Sequence, residues 1–182
     1  MFEALLKLLA RALDRAQIPY MVIGGQAVQL YGEPRMTRDI DLTLGLASDG
    51  LDRVLAVCDA CGLKPLPAVP AEFVRETMVL PALEERTGIR VDFVFSFTDY
   101  ERQAISRSRP VELSGVSVRF AAVEDVVIHK LVAGRPRDLE DVRSIVVKNL
   151  GLDRAYVEGW LGGFDRALDR DITSAFRRLL GS

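Results

Sequence analysis

The sequence predicts an α/β fold: a short, twisted, mixed sheet flanked by helices, followed by an all-helical C-terminal part. Three observations carry this expectation. Tyr20 to Ile23, Asp39 to Leu44 and Ile89 to Phe95 are short strand-like runs, and the second alternates polar and apolar residues strictly. The segments Phe2 to Ala16, before those runs, and Leu51 to Cys61, among them, space their apolar residues as helices do. From Val123 onward the pattern is helical throughout, so residues 1–122 read as an α/β core and 123–182 as a helical subdomain packed on it.

Taken in order, Phe2 to Ala16 forms an amphipathic helix. Its Lys7, Arg11, Asp14 and Arg15 interrupt any signal-peptide core. Ile18-Pro19 breaks the pattern, and Tyr20 to Ile23 follows as a buried strand. Gly24-Gly25 punctuates the chain before a short helix, Gln26 to Tyr31, which Gly32 ends. A polar loop, Glu33 to Arg38, leads into the strand Asp39 to Leu44. Leu51, Val54, Leu55 and Cys58 mark the next helix, Leu51 to Cys61. Residues 63–87 carry three prolines early and a mixed apolar stretch around Phe73 to Leu83, and give no clear assignment. Ile89 to Phe95 is rich in β-branched and aromatic residues, as strands are. Val111 to Leu113 and Val116 to Phe120 flank Ser114-Gly115 as a hairpin. Helices are expected at Val123 to Ala133, Leu139 to Val147, Asp153 to Leu161 and Phe164 to Leu180.

Composition narrows the function classes. The 182 residues are 49% hydrophobic and 27% charged, an ordinary globular balance. A net charge of -2 gives no global attraction to nucleic acid, so a polyanion would need a local basic patch. Arg102, Arg107 and Arg109 are either such a contact or a solvated face. No apolar run reaches the ~18 residues of a membrane span, and the expected location is the cytoplasm. The two cysteines, Cys58 and Cys61, lack the further ligands of a zinc site, since the single histidine, His129, is remote. Both thiols read as small apolar packing groups.

The chemistry concentrates in Ile23-Gly24-Gly25, thirteen intervening residues, and Asp39-Ile40-Asp41-Leu42. On a strand, Asp39 and Asp41 project from one face while Ile40 and Leu42 enter the core. Two carboxylates so close repel each other unless a cation lies between them, and oxygen ligands suit Mg²⁺, or Mn²⁺. Asp92 sits in the middle of the Ile89 to Phe95 strand, where an unpartnered charge is expensive to bury. If that strand neighbours Asp39 and Asp41, all three carboxylates share one site. Gly24-Gly25, between a strand and a helix start, can turn tightly and offer backbone N–H groups to phosphate.

Gly-Gly, about a dozen residues, an Asp-x-Asp strand and a later strand Asp resemble the signature of polymerase β-type nucleotidyltransferases. Gly24-Gly25-Gln26-Ala27 with Arg35-Met36-Thr37-Arg38-Asp39-Ile40-Asp41-Leu42 is similar to the minimal prokaryotic branch, which includes the abortive-infection type IV toxin nucleotidyltransferases. The run His129 to Asp141 resembles that branch's Lys-x-x-Ala-x-Arg-x-Arg-Asp-x-x-Asp motif. The likeness extends over residues 20 to about 145.

The resemblance implies a polymerase β-like nucleotidyltransferase core and transfer of a nucleoside monophosphate from an NTP to an acceptor, with release of pyrophosphate. It assigns metal binding to Asp39 and Asp41, with Asp92 completing a site and helping to activate the acceptor. Gly24 and Gly25 would contact the β- and γ-phosphates. Lys130 would reach the triphosphate, with Arg38 and Arg135 as lesser candidates. Where many members carry Ser after the first Gly, this chain has Gly25, which offers only its N–H. The acceptor stays open among tRNA or other RNA, a partner protein and a small molecule. The rival reading is a non-catalytic nucleotide-binding or antitoxin-like module on the same fold.

Several accessory residues have plain structural readings as well. Lys130 lies on the apolar stripe of its helix, where it either meets an anion or snorkels. His129 stands four residues after Asp125 and reads as an intrahelical pair. Asp138 and Asp141 have the spacing of an N-cap and its N3 acid. The family motif also allows Asp138 to order Lys130 or Arg137.

Overall fold

In the computed structural model, which describes residues 1–96 and 98–181, β2 (Asp39–Leu44) is the middle strand of a seven-stranded mixed sheet. Its alternation buries Ile40, Leu42 and Leu44 almost completely. On one side it pairs antiparallel with β1 (Tyr20–Ile23), and on the other it runs parallel to β5 (Ile89–Phe95). Outward from β5 come β4 (Val79–Glu84) and the two-residue β3 (Lys64–Pro65), both antiparallel to their neighbours. Outward from β1 come β7 (Val116–Phe120), parallel to it, and the edge strand β6 (Arg109–Leu113).

Helices α1 (Phe2–Arg15), α3 (Leu51–Cys61), α4 (Pro70–Thr77) and α5 (Asp99–Ser106) accompany the sheet. Leu5, Leu6, Leu9 and Leu13 of α1 are buried and form its apolar stripe. Cys58 and Cys61 are buried in α3, and burial pushes their thiols up to about 12 and about 11. Both therefore stay protonated and act as small apolar groups.

The segment without a sequence assignment, 63–87, is thus β3, α4 and β4. Pro70 occupies the first turn of α4, where its missing N–H has no helical partner to lose. Helix α5 was not expected. Thr98 caps it and Glu101 closes a reciprocal capping box, burying Tyr100, Ala104 and Ile105. Strand β6 starts two residues earlier than expected, because an edge strand tolerates Pro110.

The chain divides into two compact units: Met1–Gln26 with Thr37–Ala121, and Ala27–Met36 with Ala122–Ser182. Residues 27–36 thus group with the helical C-terminal part, an interposition absent from the sequence-based boundary at 122. The first break falls within α2 (Gly24–Tyr31), which begins at Gly24 rather than at Gln26.

The helical unit contains α6 (Val123–Ala133), α7 (Pro136–Lys148), α8 (Arg154–Leu168) and α9 (Ile172–Leu180). Helix α7 starts three residues before the expected Leu139, with Arg135 as N-cap and Pro136 at its first position. Asp138 is consequently the N3 acid, not the cap. The expected break before Phe164 is absent: Gly162 and Gly163 lie inside α8, which ends at Asp169 in the left-handed conformation. The side chain of Asp171 then caps α9 by accepting from Ser174 N–H. No described helix is long and apolar enough to cross a membrane.

Candidate active site

Strand register brings the three sequence-predicted aspartates onto one face of the sheet. Asp41 lies directly opposite Asp92 on β5, and Asp39 lies opposite Arg90. Opposed residues of paired strands share a face, as do residues two apart on one strand. That face is graded along β2: Asp39 is exposed, Asp41 half-buried and Thr43 fully buried. The carboxylates therefore occupy the open end of a face whose far end is closed.

Gly24 defines the other wall. Its φ of +65° belongs to the left-handed region. A Cβ there would stand 1.9 Å from Asp41 Oδ2, a distance no side chain can occupy. Glycine is required both by conformation and by the approach of the carboxylate. Because α2 begins at this residue, the N–H groups of its first turn lack intrahelical acceptors and mark the helix's positive end. Ile23, the last residue of β1, pairs with Asp41, which fixes the glycine turn beside the aspartates. Gly25 is buried within that first turn, and Arg38 is exposed just before β2.

Sequence reading missed Arg90. Its Nε donates to Asp92 Oδ1 at 2.8 Å, on a side chain 47% exposed. That hydrogen bond, reinforced by the charges of Asp39 and Asp41, raises the guanidinium's already high pKa. The signal was available in Arg90-Val91-Asp92, since residues two apart on a strand share a face.

Carboxylate oxygens on one face are the donors Mg²⁺ takes, so the residue set and its backbone placement fit the metal. The side-chain arrangement is a different matter. Among the described residues, no three His, Cys, Asp or Glu stand grouped to hold a metal ion. The Arg90 bond to Asp92 commits one of the three carboxylates to a guanidinium.

Lys130 and Arg135 belong to the helical unit. Lys130 faces inward and is buried, and its partners are anionic side chains of that unit. Its ammonium lies 2.7 Å from Asp138 Oδ1 and 2.9 Å from Asp141 Oδ2. Arg35 grips Asp141 bidentately, Nε to Oδ1 and Nη2 to Oδ2, both at 2.9 Å. Burial pushes the Asp141 carboxyl up, but hydrogen bonds from Arg35 and Lys130 outweigh it and hold the carboxyl below its ordinary range. Asp138 also accepts from the Arg135 N–H, so the N3 carboxylate closes back on the N-cap of α7 and orders Lys130. Arg135 itself is exposed.

Burial first, and the neighbouring Lys130 charge second, push the His129 pKa down to about 4. Asp125 is fully buried and accepts from the Tyr156 hydroxyl at 2.9 Å.

Comparison with known proteins gives this geometry a family. The family model for nucleotidyltransferases of unknown function (DUF6036) matches residues 1–157. No curated protein matches the sequence significantly. Among solved structures, the antibiotic-resistance factor ANT(2'')-Ia is similar at 16% identity over 92% of each chain, with a TM-score of 0.63. An antigenic nucleotidyltransferase-like protein from Paracoccidioides brasiliensis is similar at 16% identity, covering 96% of this chain and 91% of that one, with a TM-score of 0.58. The lincosamide antibiotic adenylyltransferase LnuA, lincomycin-bound, is similar at 14% identity over 73% of this chain and 89% of that one, with a TM-score of 0.51. At these identities the likeness is one of fold. The chain belongs to the nucleotidyltransferase family DUF6036 and has the polymerase β-like nucleotidyltransferase fold.

Proposed function

We propose that this protein transfers a nucleoside monophosphate from an NTP to a hydroxyl of a small-molecule acceptor, with Mg²⁺ held by Asp39, Asp41 and Asp92. One observation carries the reading. Asp41 pairs in register with Asp92 while it fills the space where Gly24 would carry a Cβ. Carboxylates and a helix N-terminus are thereby brought side by side, the combination a metal-bound triphosphate needs. Bound Mg²⁺ would supply charge stabilisation for the attacking and leaving oxygens.

The chain's own residues do the rest. The N–H groups of Gly24, Gly25 and the start of α2 hold phosphate oxygens, with the exposed Arg38 adding a positive charge. Asp92 accepts the proton of the acceptor hydroxyl. The hydroxyl oxygen bonds to the α-phosphorus as the bond to the bridging oxygen breaks, and pyrophosphate leaves. Triphosphate contact by Lys130 and Arg135 is what the family resemblance implies. Two of the three Lys130 N–H donors already meet Asp138 and Asp141, so at most one is free for phosphate.

A small acceptor is favoured over RNA by charge. The net charge of -2 gives no global attraction to a polyanion. ANT(2'')-Ia in complex with adenylyl-2''-tobramycin offers a precedent for such an acceptor on this fold, at 18% identity. The test is incubation with labelled NTPs and Mg²⁺ in the presence of aminoglycosides and lincosamides, total RNA, or lysate protein. Label in a small-molecule product, absent with Asp41→Asn, is the expected result. Label in RNA that is lost on changing Arg107 and Arg109 to Glu would move the acceptor to RNA. NTP binding without transfer to any pool would favour the non-catalytic module.

A further inference from the structure

Arg90 stands where a substrate-independent cation is least expected, among carboxylates assigned to a metal. Its neighbours on the sheet face are Asp92 two residues along β5, Asp39 across on β2 and Leu83 across on β4. The three aspartates and this one guanidinium sum to two negative charges, against three without it. The ion pair to Asp92 is direct at 2.8 Å, yet the arginine side chain is 47% and the aspartate 19% exposed. A pair open to water in this way is worth a factor of about five at most in an equilibrium, so it forms readily and exchanges readily.

We propose that Arg90 is an internal counterion: it holds Asp92 out of the metal-binding arrangement in the free protein and is displaced from it by a divalent cation. This rests on the assignment of metal binding to Asp39, Asp41 and Asp92. Two independent observations meet in it. The three carboxylates share a face and a register but are not grouped as metal ligands. The Arg90 bond to Asp92 commits one member of the trio to a guanidinium. The device has two consequences. In the absence of metal, repulsion among the carboxylates is relieved without a bound ion. Once displaced, the guanidinium stays on the same face, where its fork suits a phosphate oxygen.

Arg90 is a positioning residue in this scheme, so its test reads binding and bonding rather than turnover. Mn²⁺ alone is titrated into wild type, Arg90→Gln and Arg90→Lys, with free Mn²⁺ followed by electron paramagnetic resonance. Arg90→Gln should bind Mn²⁺ roughly two- to five-fold more tightly, and Arg90→Lys should lie between it and wild type. In EDTA, Arg90→Gln should melt lower than wild type, and saturating Mn²⁺ should remove the difference. A Mg²⁺ titration followed by NMR should show the Arg90 Nε–H resonance losing its hydrogen-bonded shift as metal binds. Equal or weaker Mn²⁺ binding by Arg90→Gln overturns the proposal, as does an Nε–H resonance that Mg²⁺ leaves unmoved. Failure of all three proteins to bind Mn²⁺ would overturn the metal assignment as well, which distinguishes the two failures.

Discussion

Each of the two units carries a cluster of aspartates, and the two clusters are built in opposite ways. In the helical unit, Asp138 and Asp141 are buried and matched by two cations, Lys130 and Arg35, with every bond short. In the α/β unit, Asp39, Asp41 and Asp92 are exposed or half-buried, and the Arg90 partner of Asp92 is itself partly exposed. A balanced, dehydrated network fixes a shape. A cluster at a water-accessible sheet end is free to exchange its partners. Charge alone does not mark a functional site; charge gathered on a face that water reaches is the better marker.

That contrast can be broken or sharpened by removing charge from each side. The largest effect is expected in the helical unit. Lys130→Ala leaves Asp138 without its ammonium and Asp141 with Arg35 alone, and should lower unfolding free energy by about 3–5 kcal/mol in denaturant titrations. A change under about 1 kcal/mol would mean that the network is not structural. In the α/β unit the same kind of change should act on transfer instead. Asp41→Asn should reduce nucleotidyl transfer by roughly 10²–10³-fold, about 2.7–4 kcal/mol of lost stabilisation. Its melting temperature in EDTA should be unchanged or higher, because a like charge has been removed. A clear loss of stability in Asp41→Asn would erase the distinction between the clusters.

Gly24→Ala tests the wall of the open site. It combines a left-handed backbone with a clash against Asp41, and should cost about 1–2 kcal/mol in conformation before the clash is counted. Calorimetry should show weakened NTP binding, since the turn that presents the α2 N–H groups must shift. The smallest effect concerns His129. Its imidazole has a pKa of about 4 in the folded protein against 6.5 when unfolded, so unfolding takes up a proton between those values. The stability it contributes is full above about pH 6.5 and is lost as pH falls toward 4. His129→Gln should therefore flatten the stability profile in that window, by about 1–2 kcal/mol at pH 5 relative to pH 7.5.

The open site was more readable in the sequence than the closed one. Asp39-Ile40-Asp41 and Gly24-Gly25 are local patterns whose geometry follows from strand alternation and helix starts, and β2 does lie between β1 and β5. The bidentate bond of Arg35 to Asp141 joins residues 106 apart, and nothing local in either segment announces it. Lys130 on the apolar stripe of α6 announced an anionic partner without naming it. Helix α5 carried a readable signal, Thr98 and Glu101 as a capping box, but polar residues surround it and mask the apolar spacing. Gly162-Gly163 misled in the other direction, because glycine breaks a helix only where packing lets it; here the stop is at Asp169.

The grouping of residues 27–36 with the C-terminal helices has a consequence for the chain as it is being made. Tyr31 O accepts from Asn149, Gly32 O from Lys148, and Glu33 N–H donates to Ser144. On a ribosome adding about 5–20 residues per second, those partners arrive roughly 6–24 s after the segment that needs them. Late in that interval, after Phe120 and before Ser144 is made, Tyr31, Gly32 and Glu33 still lack these partners while the last strand of the sheet has already been synthesised. The nascent protein thus passes through a stage with a finished sheet and an open backbone segment immediately upstream of Asp39. A fragment ending at residue 121 would be arrested at that stage, and limited proteolysis of it should cut between 27 and 36 first.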